Sequence, residues 1–374
     1  MFRFSRARAP LPRWADLILL PLVNVALAFL AAGLIVLIIG ENPLRAVGFM
    51  IEGALGNSEG IGYTLYYTTN YIFTGLAVAV AFHAGLFNIG GEGQAYLGGL
   101  GVGLVLLAFD HILPFALLLP LAILGAILFG AAWALIPAYL QAYRGSHIVI
   151  TTIMFNFLAS ALMVYLMVNV LINPGQMSPE SREFAPAAQL PFIRDLLLPF
   201  GVNMGRSPLN LSIVAAALAC LFVWIYLWHT PWGYELRAVG QSERAAIYAG
   251  VKLKRIILIS LCVSGALAGL VGLNEIMGVH HRLMLNFNLG YGFTGIAVAL
   301  MGRNHPFGIV LASLLFGILS QGGAELSFDI PAITREMIVV IQGLIILFSG
   351  ALAYMSRPFF EHVFGLFARR AAVT

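Results

Sequence analysis

The residues best placed to do chemistry lie between Phe82 and Gln94, which read Phe-His-Ala-Gly-Leu-Phe-Asn-Ile-Gly-Gly-Glu-Gly-Gln. Asn88 and Gln94 bring amides and Glu92 a carboxylate, set among Gly85, Gly90, Gly91 and Gly93. Glycine frees the backbone to leave helical geometry, and the N–H groups at the start of a following helix favour a carboxylate or a polar ligand. The pattern predicts a broken or re-entrant helix lining a cavity. The alternative has the glycines serving close packing and Glu92 capping a helix N-terminus. Thr152 and Asn156 stand four apart and share one helical face, where they can line a path or hydrogen-bond a neighbouring helix. Asn274 and Glu275 form a third polar place, near the outer end of an apolar run where the membrane interface could hold Glu275. A fourth is Gly290 to Arg303, whose apolar run is too short to cross a bilayer core of about 30 Å at roughly 1.5 Å per residue. Tyr291 and Phe293 there offer aromatic faces to a planar ligand or to packing.

Other chemistries lack their residues. The chain has two lysines, Lys252 and Lys254, preceded by Val251 and Leu253. A phosphate-binding loop needs lysine directly after glycine, so that motif is absent and any ATP must bind another chain. Cys220 and Cys262 sit in apolar runs without ligand-like spacing and read as small hydrophobes. The eight histidines form no H-E-x-x-H pattern, and adjacent His280 and His281 would point to different faces of a helix. No metal site and no catalytic residue is assigned.

These residues need a membrane to position them. Of 374 residues 60% are hydrophobic and 10% charged, more apolar surface than one soluble core could hide. Apolar runs give an all-α, polytopic transmembrane bundle of about ten spans, with one or more broken helices. The spans fall near 17–40, 61–82, 93–109, 112–140, 148–172, 209–229, 256–278, 291–302, 306–324 and 334–355, in a single domain over 1–374. The first is too long for a signal-peptide core and reads as a retained helix. An even count puts both termini on one side. If that side is cytoplasmic, arginines and lysines divide fourteen inside to six outside, as the positive-inside rule requires. Tails 1–16 and 356–374 are then cytoplasmic, and Pro-rich 173–208 is external, either a solvated connector or a docking surface. The net charge of +4 needs no nucleic acid to explain it. Halves of five spans each would form an inverted repeat, for which self-similarity gives no positive sign.

The longest inner loop, 230–255, holds five of the fourteen inside cations. Within it Gly240 to Gly250 predicts a short helix: Ser242 caps it, Glu243 suits its positive end, Ala245 and Ala246 favour helix, and Gly250 ends it left-handed. Two turns are marginal alone, so something else must hold them, either a protein partner or the lipid headgroups on which a basic loop can lie. Small alanine faces beside Glu243 and Arg244 suit a protein groove better than lipid.

At this point the chain resembles the permease subunits of bacterial ABC importers of the nucleoside and simple-sugar branch. The matching stretches are GLAVAVAFHAGLFNIGGEGQAYLGG (75–99), VITTIMFNF (149–157), GYELRAVGQSERAAIYAGV (233–251) and GYGFTGIAVALMGRNHPFGIVLASLLFG (290–317). The resemblance implies a half-transporter in the bacterial inner membrane, paired with a second, often non-identical permease and fed by an external binding lipoprotein. It implies an ATP-binding subunit carrying ATP and Mg, and identifies Ser242, Glu243, Arg244, Ala245, Ala246 and Gly250 with the coupling helix. Asn88, Glu92, Gln94 and Asn156 match the family's polar positions; Thr152, Tyr291 and Phe293 join them as pathway candidates. Two other classes stand as alternatives: an ion- or proton-coupled secondary transporter with Glu92 titrating, and a membrane-embedded enzyme, which lacks its motifs.

Overall fold

The computed structural model describes residues 19–334 and 337–344, with 12, 15, 347 and 361. Most of tails 1–16 and 356–374, Arg335 and much of span 334–355 lie outside the described residues. Helices are α1 (Leu20–Ile38), α2 (Pro43–Leu55), α3 (Ser58–His83), α4 (Gly91–Phe109), α5 (Phe115–Arg144), α6 (Ile148–Asn169), α7 (Ile193–Leu197), α8 (Ser212–His229), α9 (Pro231–Gln241), α10 (Glu243–Tyr248), α11 (Leu253–Gly269), α12 (Tyr291–Met301) and α13 (Pro306–Asp329). A π-helical stretch, Leu273–His280, prolongs α11. Among the described residues β-structure is limited to two isolated bridges, Glu180 with Met284 and Phe192 with Asn210.

Seven helices are long and apolar enough to cross a membrane, or eight if a bent pair counts as one span. In that pair Val25–Ile38 meets Pro43–Leu55 at 116°. The turn follows from Gly40 at φ 93° and from Asn42, whose Oδ1 accepts the N–H of Leu44 at 2.9 Å to start α2. The stretch between the expected spans 17–40 and 61–82 is thus largely helical, as α2. α12 has 11 residues, about 16 Å at 1.5 Å per residue, half a bilayer core.

The chain divides into two compact units, 1–51 with 322–374, and 52–321. In the first, Gly322 lets the backbone approach Met50, and Gly323 packs on Ile338. In the second, α3 is central: 83% of its apolar window is buried, against 22% for α6, which turns Phe157 and Tyr165 outward. A helix buried on all sides must satisfy its own polar groups, and α3 carries buried Thr64, Thr68, Thr69, Asn70 and Thr74. Asn57 starts α3, its Oδ1 accepting the N–H of Gly60 at 2.6 Å. α4, α5 and α11 pack through glycine: a Cβ on Gly98 would strike the backbone of Gly269, and one on Gly130 that of Gly265. Close backbone approach of this kind is how membrane helices gain contact without a hydrophobic driving force.

Segment 173–208 is folded, with short turns at Pro186–Ala188 and Leu198–Phe200 flanking α7. It hydrogen-bonds back to the end of the π stretch, through Phe184 N to His281 O at 2.8 Å and Leu190 N to Met277 O at 3.1 Å. Asp110, just past α4, receives Arg182 Nη1 and Nη2, each at 2.7 Å, and the N–H of Ala185 at 2.9 Å. Burial pushes the Asp110 carboxyl up, but the Arg182 and Ala185 hydrogen bonds outweigh it and hold the carboxyl below its usual range.

Candidate functional site

The break between α3 and α4 is built by its own residues. Gly85 takes φ 74°, and Gly85 N and Leu86 N bond to Phe82 O and Ala81 O, a Schellman ending that stops α3. Buried Asn88 then organises the turn. Its Oδ1 accepts from Gly90 N at 2.9 Å and Gln94 Nε2 at 3.2 Å, while its Nδ2 donates to Gln94 Oε1 at 2.9 Å and Ser264 Oγ at 2.8 Å. From α6, Asn156 Oδ1 accepts the first-turn N–H of Gly93 and its Nδ2 donates to Ile89 O, each at 2.9 Å. Thr152 is buried one turn away beside Gly90, its hydroxyl donating to Ile148 O at 2.8 Å. The structure thus brings Asn88, Gln94, Thr152 and Asn156 together, with their polar atoms engaged in holding the break.

Glu92 faces the other way. Its Oε1 accepts from Gly290 N at 3.0 Å and its Oε2 from Gly292 N at 2.8 Å, while its backbone oxygen accepts from Asn288 Nδ2 at 3.1 Å. Gly290, at φ 82°, offers α12 no side-chain cap of its own, so the Glu92 carboxylate caps the start of α12 while its charge sits in the first turn of α4. The glycines allow this, because a Cβ on Gly292 would strike the backbone of Glu92. Tyr291 is buried and edge-on to Tyr71 at 5.6 Å, whereas Phe293 is half exposed.

A second polar centre lies in the π stretch, and it is denser than the sequence suggested. Glu275 is fully buried rather than at an interface; its Oε1 accepts from Tyr66 Oη at 2.6 Å and Asn70 Nδ2 at 2.5 Å, and His280 Nε2 lies 3.3 Å from its Oε2. Asn274 donates to Asn70 Oδ1 at 2.9 Å and accepts from Asn210 Nδ2 at 2.9 Å and Ser212 Oγ at 2.8 Å. Through it α3, the π stretch and the start of α8 share one network. π-Helical segments often mark functional sites in helices. Tyr66, Asn70, Asn210 and Ser212 escaped the sequence reading. The run of hydroxyls and amides along α3 was the available signal, since such groups are costly in a bilayer unless paired.

Helices α9 and α10 follow the local pattern expected of the 230–255 segment. Thr230 caps α9, its Oγ1 accepting from Gly233 N at 3.1 Å, and Ser242 caps α10, accepting from Ala245 N at 3.4 Å. Glu243 occupies the first turn, and Gly250 follows α10 at φ 88°. Ala246 is the buried residue of α10, while Ser242, Glu243, Arg244, Ala245 and Gly250 are exposed and Tyr248 is 97% exposed. At the other end of α9, Gly240 lies against His83 and Gly85, where a Cβ would strike the His83 carbonyl. His83 Nε2 in turn lies 3.0 Å from Asn304 O, beyond the end of α12.

Membrane-capable helices interrupted at buried polar breaks, with a short helix pair packed on one break, are features shared with the membrane domains of transporters. The family described as the branched-chain amino acid transport system / permease component matches residues 60–350, and the chain belongs to that family. It is similar to the guanosine ABC transporter permease protein of Bacillus subtilis, 36% identical over 88% of this chain and 92% of that one. The nucleoside ABC transporter permease protein of Lactococcus lactis is 35% identical over 88% and 90%. The glucose ABC transporter permease protein of Haloferax volcanii is 35% identical over 88% and 86%. This chain is a permease component of an ABC transporter.

Proposed function

We propose that this permease imports nucleosides, or simple sugars related to their ribose, by alternating access, in the bacterial inner membrane with both termini cytoplasmic. The names of its relatives support the substrate class. In this reading the chain is one permease domain of about ten spans, two more than the eight long apolar crossings, counting short α12 and the 334–355 segment. A second, non-identical permease completes the path, an external lipoprotein delivers solute to the folded 173–208 segment, and a separate ATP-binding subunit carries ATP and Mg. The five-plus-five inverted repeat belongs to the same proposal.

One observation carries the mechanism: Gly240 rests on His83 and Gly85, linking the inner helices to the break that Asn88 organises. Ser242 to Ala246 and Gly250 form the coupling element, the exposed face of α10 seating on the ATPase. Movement of α10 passes through α9 to the end of α3, and from the break through Glu92 to α12. Asn88, Gln94, Thr152 and Asn156 keep the break rigid on the pathway side, and at the start of α12 exposed Phe293 flanks the solute while buried Tyr291 anchors the helix against Tyr71. The chain itself performs no covalent chemistry.

The test is ATP-driven nucleoside uptake by the reconstituted complex carrying Glu243→Lys. Reversing this charge at the positive end of α10 should weaken ATPase association at least tenfold, while membrane insertion stays intact. Wild-type uptake and association in the variant, or uptake by this chain alone without ATP, would overturn the reading.

A further inference from the structure

A groove of about 720 Å³ opens where α5 ends and α11 begins. Its rim carries Lys252, Lys254 and Arg255, all exposed, and its wall is made of Ile247, Val251, Leu258 and Ile259. Among the described residues no carboxylate lies within ion-pair distance of any of the three cations. The first turn of α11 holds no acidic residue, so the positive helix end adds to their charge. Tyr143 closes one side, with Lys254 Nζ 4.7 Å above its ring, and Tyr143 stacks on Tyr139 at 4.9 Å. Tyrosines at the end of an apolar span mark the headgroup level of a bilayer.

From this arrangement we infer that the groove binds an anionic phospholipid, its phosphate on Lys252, Lys254 and Arg255 and its acyl chain along Leu258 and Ile259. The layout favours this occupant on two counts. Leu258 and Ile259 continue the groove along the apolar helix Leu253–His280, about 4.5 Å to 6 Å above Arg255 by helical rise, and offer an acyl chain a surface beside the cationic rim. A free phosphate would use the rim but leave that apolar wall bare, and basic pockets between membrane helices are known to select acidic headgroups. Since Ile247 belongs to α10 and Val251 follows it, the bound lipid touches the proposed coupling element and stiffens its attachment to α11.

The complete transporter, reconstituted in phosphatidylcholine nanodiscs with and without phosphatidylglycerol, provides the test through native mass spectrometry and ATPase rate. The wild-type complex should retain phosphatidylglycerol in preference to phosphatidylcholine. Combined Lys252→Gln, Lys254→Gln and Arg255→Gln should cut that retention about a hundredfold, at around fivefold per cation. Leu258→Gln, which leaves the rim intact, should also lower it. Should the triple variant fail to assemble, Lys252→Arg with Lys254→Arg must still retain the lipid while each single Gln change loses part. Equal retention in all variants would overturn the inference. So would displacement of phosphatidylglycerol by inorganic phosphate without any effect of Leu258→Gln, which marks a free-anion site. Loss of the ATPase subunit from the triple variant with lipid retention unchanged would assign the cations to a protein interface and equally overturn it.

Discussion

Glu92→Ala tests whether a single carboxylate sets the start of α12. The carboxylate accepts two backbone N–H groups, at 3.0 Å from Gly290 and 2.8 Å from Gly292. Hydrogen bonds to a charged group contribute roughly 1.5 to 3 kcal/mol each, so the pair is worth about 3 to 6 kcal/mol gross. Glu92 is only half-buried, and water reaching the freed N–H groups would return part of this, which favours the lower end. About 3 kcal/mol corresponds to roughly a hundredfold change in a local opening equilibrium. Hydrogen–deuterium exchange of the complex in nanodiscs should therefore show amides around Gly290 and Gly292 exchanging about a hundredfold faster in Glu92→Ala. Glu92→Gln retains one acceptor oxygen and should give only about a tenfold increase. Amides of the α4 core should keep their wild-type rates in both. Unchanged exchange at 290–293 in Glu92→Ala would refute the capping account, and a uniform acceleration along the chain would refute its local character.

Gly98→Ala should lower the thermal midpoint of the purified complex, since the added Cβ strikes the Gly269 backbone and overpacking costs about 1 to 3 kcal/mol; an unchanged midpoint means the helices can part freely. Glu275→Leu should destabilise the complex by about 2 to 4 kcal/mol, because it strands the donors of Tyr66 and Asn70 in a buried site, whereas Glu275→Gln, keeping an acceptor for both, should cost less; equal effects in denaturation assays would disprove the network's role. The Asp110 carboxyl is held below its ordinary value of about 3.9, so its grip on Arg182 is at full strength above that pH and is lost as pH falls through the lower, folded value. Hydrogen exchange of residues 181–185 should therefore rise steeply in acid, and Arg182→Gln should bring the rise to higher pH; a flat profile in the wild type would count against the bond as the loop's anchor.

Much of this was legible in the chain itself because it depends on local chemistry. Ser242 three residues before Ala245 and Gly250 after the alanines set where a short capped helix starts and stops, and the structure has that helix at Glu243–Tyr248. Four glycines around Asn88 and Glu92 specify a break, and the break lies where they are. Apolar length gave most of the membrane helices, but α2 was missed: its mixed polarity resembles a connector until Asn42 and Pro43 are seen starting a helix.

Partnership was not legible. The residue types around the break left Glu92 free to line a cavity or to cap a helix. Only the approach of α12, almost 200 positions along the chain, turns its carboxylate toward Gly290 and Gly292. Glu275 read as an interfacial residue because its span-end position said nothing of Tyr66 and Asn70, more than 200 positions away, which bury and satisfy it. The sequence by itself determined that this chain belongs in a membrane, where its helices break and where the short capped helix after Ser242 forms. The tertiary structure decided which polar group answers which. In a bilayer each buried donor and acceptor must find a protein partner, and that partner is chosen by packing between distant helices rather than by neighbours along the chain.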